Sequence, residues 1–187
     1  MPSRNTVIRS LHDLGAAAWF GGSLMGAVGL SGAAGAVRDP HDRARVASIG
    51  WGKWSPVNAA AVGAHLVGGG ALLYVNRDRA QQQGGVKANT VIKIVATGAA
   101  LAVNVYNGVL GAKVAAADGP DVEAASKPAH SAYDEVAGAQ RQLQYLRWTL
   151  PALTAAVVIL GAQQGEQQRP PQVLTKLGST LARRGRL

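Results

Sequence analysis

The sequence predicts an all-α fold: a four-pass transmembrane helix bundle whose long fourth helix extends beyond the bilayer into a basic C-terminal tail. Three observations predict it. First, among 187 residues the charges are segregated, leaving uncharged runs at 14–37, 54–76, 94–112 and 148–165, of 24, 23, 19 and 18 residues. Each is close to the roughly 20 residues a helix needs to cross a hydrocarbon core of about 30 Å. Second, the run at 14–37 is built almost entirely from Gly, Ala, Leu, Val and Ser with no polar face at any angle, and all four runs lack charge, whereas a soluble helix must show charge to water every turn or two. Third, Trp51, Trp54, Tyr145 and Trp148 fall on one predicted interface, as an aromatic belt requires. By length the chain is one domain, divided into a transmembrane part, 1–165, and a juxtamembrane tail, 166–187.

The first helix is placed at 6–37. Its core, GAAAWFGGSLMGAVGLSGAAGAV, contains the Gly22/Gly26 pair and the Ser31/Gly35 pair at small-xxx-small spacing, the pattern that lets membrane helices approach closely. In water so many glycines would melt the helix at about 1 kcal/mol each. In lipid the backbone has only itself to bond to, and helicity survives. A cleaved signal peptide is the competing reading, with Arg4 and Arg9 ahead of the run and Ala34-Gly35-Ala36 behind it, but the run exceeds the usual h-region of roughly 7–15 residues.

Arg38 to Lys53 reads as a polar connection, with Asp39-Pro40 as the helix stop. Ser55-Pro56 reads as an N-cap followed by proline in the first turn, so the second helix is placed at 55–76, with Ala60, Ala64 and Gly68 as its small stripe and His65 near its middle. After a Gln-rich, Gly-Gly turn the third helix is placed at 90–116, carrying Asn104 and Asn107. The loop Ala117–His130 holds the densest acidic content. The fourth helix, 131–164, opens on Asp134 and Glu135 and contains Pro151, where a kink is expected. Pro170-Pro171 ends it. In the tail, Leu174, Leu177 and Leu181 share one face, and Arg183, Arg184 and Arg186 would meet anionic headgroups.

The net charge of +9 without interleaved aromatics in the tail points to a bilayer with anionic headgroups rather than to nucleic acid. Four passes put both termini and the 77–93 loop on one side, with eleven Lys and Arg against eight on the other. The positive-inside rule then places both termini in the cytoplasm of a plasma membrane. There is no cysteine, which excludes disulfides, thiolate metal sites and thiol nucleophiles. No P-loop, GxSxG, HExxH or paired-carboxylate pattern occurs, and no catalytic residue, metal or cofactor is assigned.

Polar groups inside a span are the first candidates for function. Counting about 1.5 Å per residue from Arg77 and from Lys93 puts His65 and Asn104 at matching depth, roughly 16–18 Å from one interface. The expectation is a hydrogen bond from His65 to Asn104 or Asn107, joining the second and third helices. The same counting separates His12 from His65 by more than about 15 Å, too far for both to hold one haem iron. His41 and His130, in acidic loops, have no recognised metal spacing.

Two stretches carry resemblances. LHDLGAAAWFGG at 11–22 resembles the opening of small bacterial membrane proteins of the copper-resistance D type, in which a His precedes a Trp-x-Gly pattern. AQRQLQYLRWTLPALTAAVVILGAQQGEQQRP at 139–170 is similar to a family of uncharacterised integral membrane proteins of high-GC actinobacteria, and the similarity extends over most of the chain. It implies a plasma-membrane location and transfers no functional residue. The functional expectation is a non-enzymatic accessory or scaffolding subunit that packs through small-residue faces against a membrane-protein partner or a second copy. The alternative is a small haem- or metal-binding membrane protein using His12 or His65.

Overall fold

The computed structural model describes residues 5–82, 84–116 and 130–167, and among these every regular element is helical. The four helices are α1 (Thr6–Ala36), α2 (Pro40–Gln82), α3 (Gly84–Ala116) and α4 (His130–Gln167). Each contains a stretch long and apolar enough to cross a membrane: Thr6–Ala36, Asp42–Val75, Ala88–Ala116 and Glu135–Gln164. The architecture is that of a multi-pass membrane helix bundle. The tail, with Arg183, Arg184 and Arg186, and the acidic loop at 117–129 lie outside the described residues.

Two boundaries differ from the sequence reading. The segment 40–54, expected as a polar connection, is the first third of α2, which begins at Pro40 and runs unbroken through Pro56. Proline at the first helical position accounts for the start, because the amide hydrogen it lacks has no partner there. Val37 turns extended (φ −71°, ψ 132°), and the Arg43 guanidinium donates to the carbonyls of Val37 and Arg38, closing a three-residue corner. The charges at 42–53 therefore decorate a helix rather than a loop, and Arg38 and Asp39 lie in the corner. Likewise the 77–93 connection is helical through Gln82 and again from Gly84.

Within α1, Gly26–Leu30 is a π-helical turn, which the small-residue periodicity did not announce. Its wide bond runs from the Ser31 amide to the Gly26 carbonyl, and Ser31 Oγ donates to the same oxygen at 2.9 Å. Such a turn inserts one extra residue into a helix and rotates the side chains beyond it to new directions.

Side-chain neighbours fix the directions. α1 and α2 are antiparallel: Gly68 lies against His12, Gly15 against Ala61 and His65, Trp54 over Gly22, Trp51 over Gly26 and Leu30 over Gly50. α4 is antiparallel to α1, with Ser23 and Thr154 facing each other, and α3 runs parallel to α1. The uncharged runs are consequently staggered. Trp54, where the run of α2 begins, sits beside the middle of the α1 run. His12, just ahead of the α1 run, sits beside the middle of the α2 run. A small core of Trp19, Ala61, Ala100 and Leu150 joins all four helices, flanked by Val62, Leu101, Val103 and Leu153.

Candidate functional site

Where α1 and α2 cross, the sequence His-x-x-Gly occurs twice, as His12-Asp-Leu-Gly15 and His65-Leu-Val-Gly68. The two copies meet head to tail. A Cβ on Gly15 would fall 2.5 Å from the His65 amide nitrogen, and one on Gly68 would fall 2.7 Å from that of His12. Only glycine at both positions lets the two backbones come this close. The approach places each histidine ring against the other helix. His12 Nδ1 donates to the His65 carbonyl at 2.8 Å, and His65 Nδ1 donates to the His12 carbonyl at 3.2 Å. A carbonyl oxygen can only accept, so both Nδ1 atoms carry hydrogen. The rings stack with centroids 4.1 Å apart and planes 20° apart. Trp19, wholly buried, lies with its ring centre 6.1 Å from that of His65.

A third helix closes the cluster. Lys93 Nζ of α3 lies 2.8 Å from His12 Nε2, which accepts from the ammonium because the other ring nitrogen is already a donor. Lys93 reaches across Gly161 of α4, where a Cβ would come within 3.1 Å of Nζ. Beside it Gln164 Nε2 donates to Thr90 Oγ1 at 3.1 Å, tying α4 to α3.

A second polar group lies about two turns deeper. Asn104 Oδ1 accepts from Trp19 Nε1 at 3.2 Å and from Asn58 Nδ2 at 3.0 Å, joining α3, α1 and α2 through one oxygen. Asn107 Oδ1 is buried without a partner among the described residues. Ser23 and Thr154 meet at 3.4 Å, and Thr154 Oγ1 also returns to the Leu150 and Pro151 carbonyls. Toward the end of the bundle away from Lys93, Tyr106 donates to Gln142.

Several expectations are corrected by this arrangement. His65 bonds to His12, not to Asn104 or Asn107, and it lies level with Lys93 rather than with Asn104. The separation of His12 from His65 is likewise wrong, since the rings touch. The counting failed for a physical reason. Arg77 does not mark the level at which α2 leaves the apolar slab, because α2 stays uncharged well past the point where α1 and α3 acquire Asp13 and Lys93. The small stripe of α2 that makes contact is Ala61, His65 and Gly68. Ala60 faces outward and Ala64 is half-buried. Gly22 and Gly26 are covered by the Trp54 and Trp51 rings rather than by a second backbone, and Gly35 is exposed with nothing near it. Trp51, Tyr145 and Trp148 are exposed, whereas Trp54 is half-buried over Gly22. The repeated His-x-x-Gly was the signal in the sequence that would have found the crossing.

Comparison of the chain with protein-family models, with curated proteins and with solved structures finds no match. The resemblances of 11–22 and 139–170 therefore rest on their own residues, and the chain is described by its architecture: four apolar helices locked together by buried polar side chains.

Proposed function

We propose that the protein is a non-enzymatic accessory or scaffolding subunit of a plasma-membrane assembly, with both termini cytoplasmic, the end of α4 projecting beyond the bilayer and the basic tail on anionic headgroups. One observation carries the reading: the buried His12, His65 and Trp19 and the half-buried Asn58, Asn104 and Lys93 are engaged in bonds from one helix to another. Such bonds fix helix positions, each contributing about 0.6–2 kcal/mol in a bilayer. The outward surface is apolar and small in places where the bundle itself has no use for smallness. Gly63 and Gly70 of α2 and Gly98, Gly108 and Gly111 of α3 would each accept a Cβ with nothing inside 4 Å. Small outward residues let another membrane helix approach closely.

The experiment is a mass measurement on protein extracted from its native membrane with the surrounding lipid. A particle containing a second chain, lost in Gly98→Leu/Gly108→Leu without loss of thermal stability, is the expected result. A monodisperse monomer overturns the reading.

The reading as a haem or metal protein gains from the juxtaposition of His12 and His65 and loses from its geometry. Axial ligands approach one metal edge-on from opposite sides, each nitrogen about 2 Å away. Here the rings lie face to face, and His12 Nε2 is held by Lys93. Among the described residues no three His, Cys, Asp or Glu side chains gather as a metal site. A proton relay also stops short, since the chain from Lys93 through His12 ends on the His65 carbonyl. A Soret band or stoichiometric metal in the purified protein would restore that reading.

A further inference from the structure

We infer that Lys93 marks a binding site for the phosphate of an anionic lipid, in the groove where α3 and α4 meet the start of α1. The site lies at the edge of the apolar slab. Lys93 immediately precedes the uncharged run of α3, His12 lies just ahead of that of α1, and Gly161 is near the end of that of α4. Position 161 has no side chain, and the half-buried lysine crosses over it. An ammonium offers three hydrogens. Here one is directed at His12 Nε2, and among the described residues Lys93 has no other hydrogen-bond acceptor and no carboxylate at ion-pair distance.

Two donors are thus left beside apolar surface, where leaving them unmet is costly, and the charge is met only at longer range, by Asp13, with Arg9 acting in the opposite sense. One helical turn before Lys93 on α3, Asn89 is 7% exposed, and its Oδ1 has no donor among the described residues. A ligand answering both carries an anion for the lysine and a hydroxyl for the asparagine. The phosphodiester of a glycerol-type headgroup has both. At the same level of the bundle, Ile94 next to Lys93 and Ile159 two residues before Gly161 are more than half exposed, giving acyl chains apolar surface. Basic residues between helices at the headgroup level are a recurrent way of holding anionic lipid.

The test is native mass spectrometry of the full chain in mild detergent, titrated with phosphatidylglycerol, phosphatidylcholine or inorganic phosphate. Wild type is expected to retain phosphatidylglycerol in preference to phosphatidylcholine. Lys93→Met should weaken that retention about tenfold, the loss of a charge-assisted bond. Lys93→Arg should keep it within about threefold by the same arithmetic. Gly161→Leu, which fills the groove and leaves every charge in place, should weaken it as Lys93→Met does, so the result does not depend on one variant folding. Equal binding of the two lipids, undiminished retention in both Lys93→Met and Gly161→Leu, or displacement of the lipid by equimolar inorganic phosphate overturns the proposal.

Discussion

Gly15 and Gly68 show what one absent methyl group does. Alanine normally favours a helix over glycine by about 1 kcal/mol, so Gly→Ala is usually harmless where space is open. Gly21, with nothing within 4 Å of a new Cβ, is such a place. At Gly15 the new atom would meet the His65 amide and the Ala61 carbonyl, both backbone and neither free to rotate away. Gly15→Ala should therefore lower stability by about 1–3 kcal/mol, the overpacking range, while Gly21→Ala leaves it unchanged or slightly higher. Thermal or denaturant unfolding in detergent micelles reads the difference. Asn104 gives a second test at this scale. Its oxygen serves two donors, and Asn104→Ala leaves the Trp19 indole hydrogen buried without an acceptor, a loss of about 2 kcal/mol. A double-mutant cycle with Asn58→Ala should return a coupling near roughly 0.6 kcal/mol. A coupling of zero would mean that the two amides do not share the bond. His65 and Asn104 were legible in the sequence as polar residues in apolar helices. Their partners were not, because depth along a helix does not say which way a side chain faces or how neighbouring helices slide.

The helices themselves were legible because charge is absent from them, a property independent of neighbours. Their ends were less so. Arg38, Arg43, Arg45 and Lys53 made 38–53 look like a loop, yet charged residues suit a helix that rises out of lipid, and Pro40 starts α2 fifteen residues before the expected position of 55. Pro56 then stands inside the helix, denying the Gly52 carbonyl its usual donor. Pro56→Ala should restore that bond and stabilise α2 by up to about 3 kcal/mol, provided the helix keeps its present path; a drop in stability would show that a bend at this point is needed to seat Trp54 on Gly22. The π turn of α1 makes a separate prediction. Deleting Val28 removes the extra residue, so that α1 closes into an ordinary α-helix in which Ala34 and its neighbours keep their present directions, as His12 and Trp19 do. With no native cysteine in the chain, paired cysteine labels on α1 and α2 can follow this directly. Distances should hold for labels at positions 11 and 34 alike, whereas deleting Gly21, in the regular part of the helix, should change the distance at 34.

At the scale of the whole molecule, a four-pass arrangement would put the corner at 37–39 and the end of α3 at Ala116 on one side, opposite the start of α1, and the segment after Ala116 would begin on that side. Membrane-impermeant labelling of single cysteines at Arg38 and at Asp121 should therefore give the same accessibility in sealed vesicles. Opposite accessibility would break the four-pass arrangement on which the proposed role rests. The staggering of the uncharged runs was not visible in any one of them. It emerges only when the helices are set side by side, and it explains why counting from the nearest charge misjudged the depth of His65.

The head-to-tail pairing of two His-x-x-Gly words has a consequence of its own. Each word is a mating surface for the other, so a strand bearing one of them is complementary to an inverted copy of itself. An isolated peptide of residues 5–25, reconstituted where it can insert both ways, should associate as an antiparallel pair, and Gly15→Ala should keep it single.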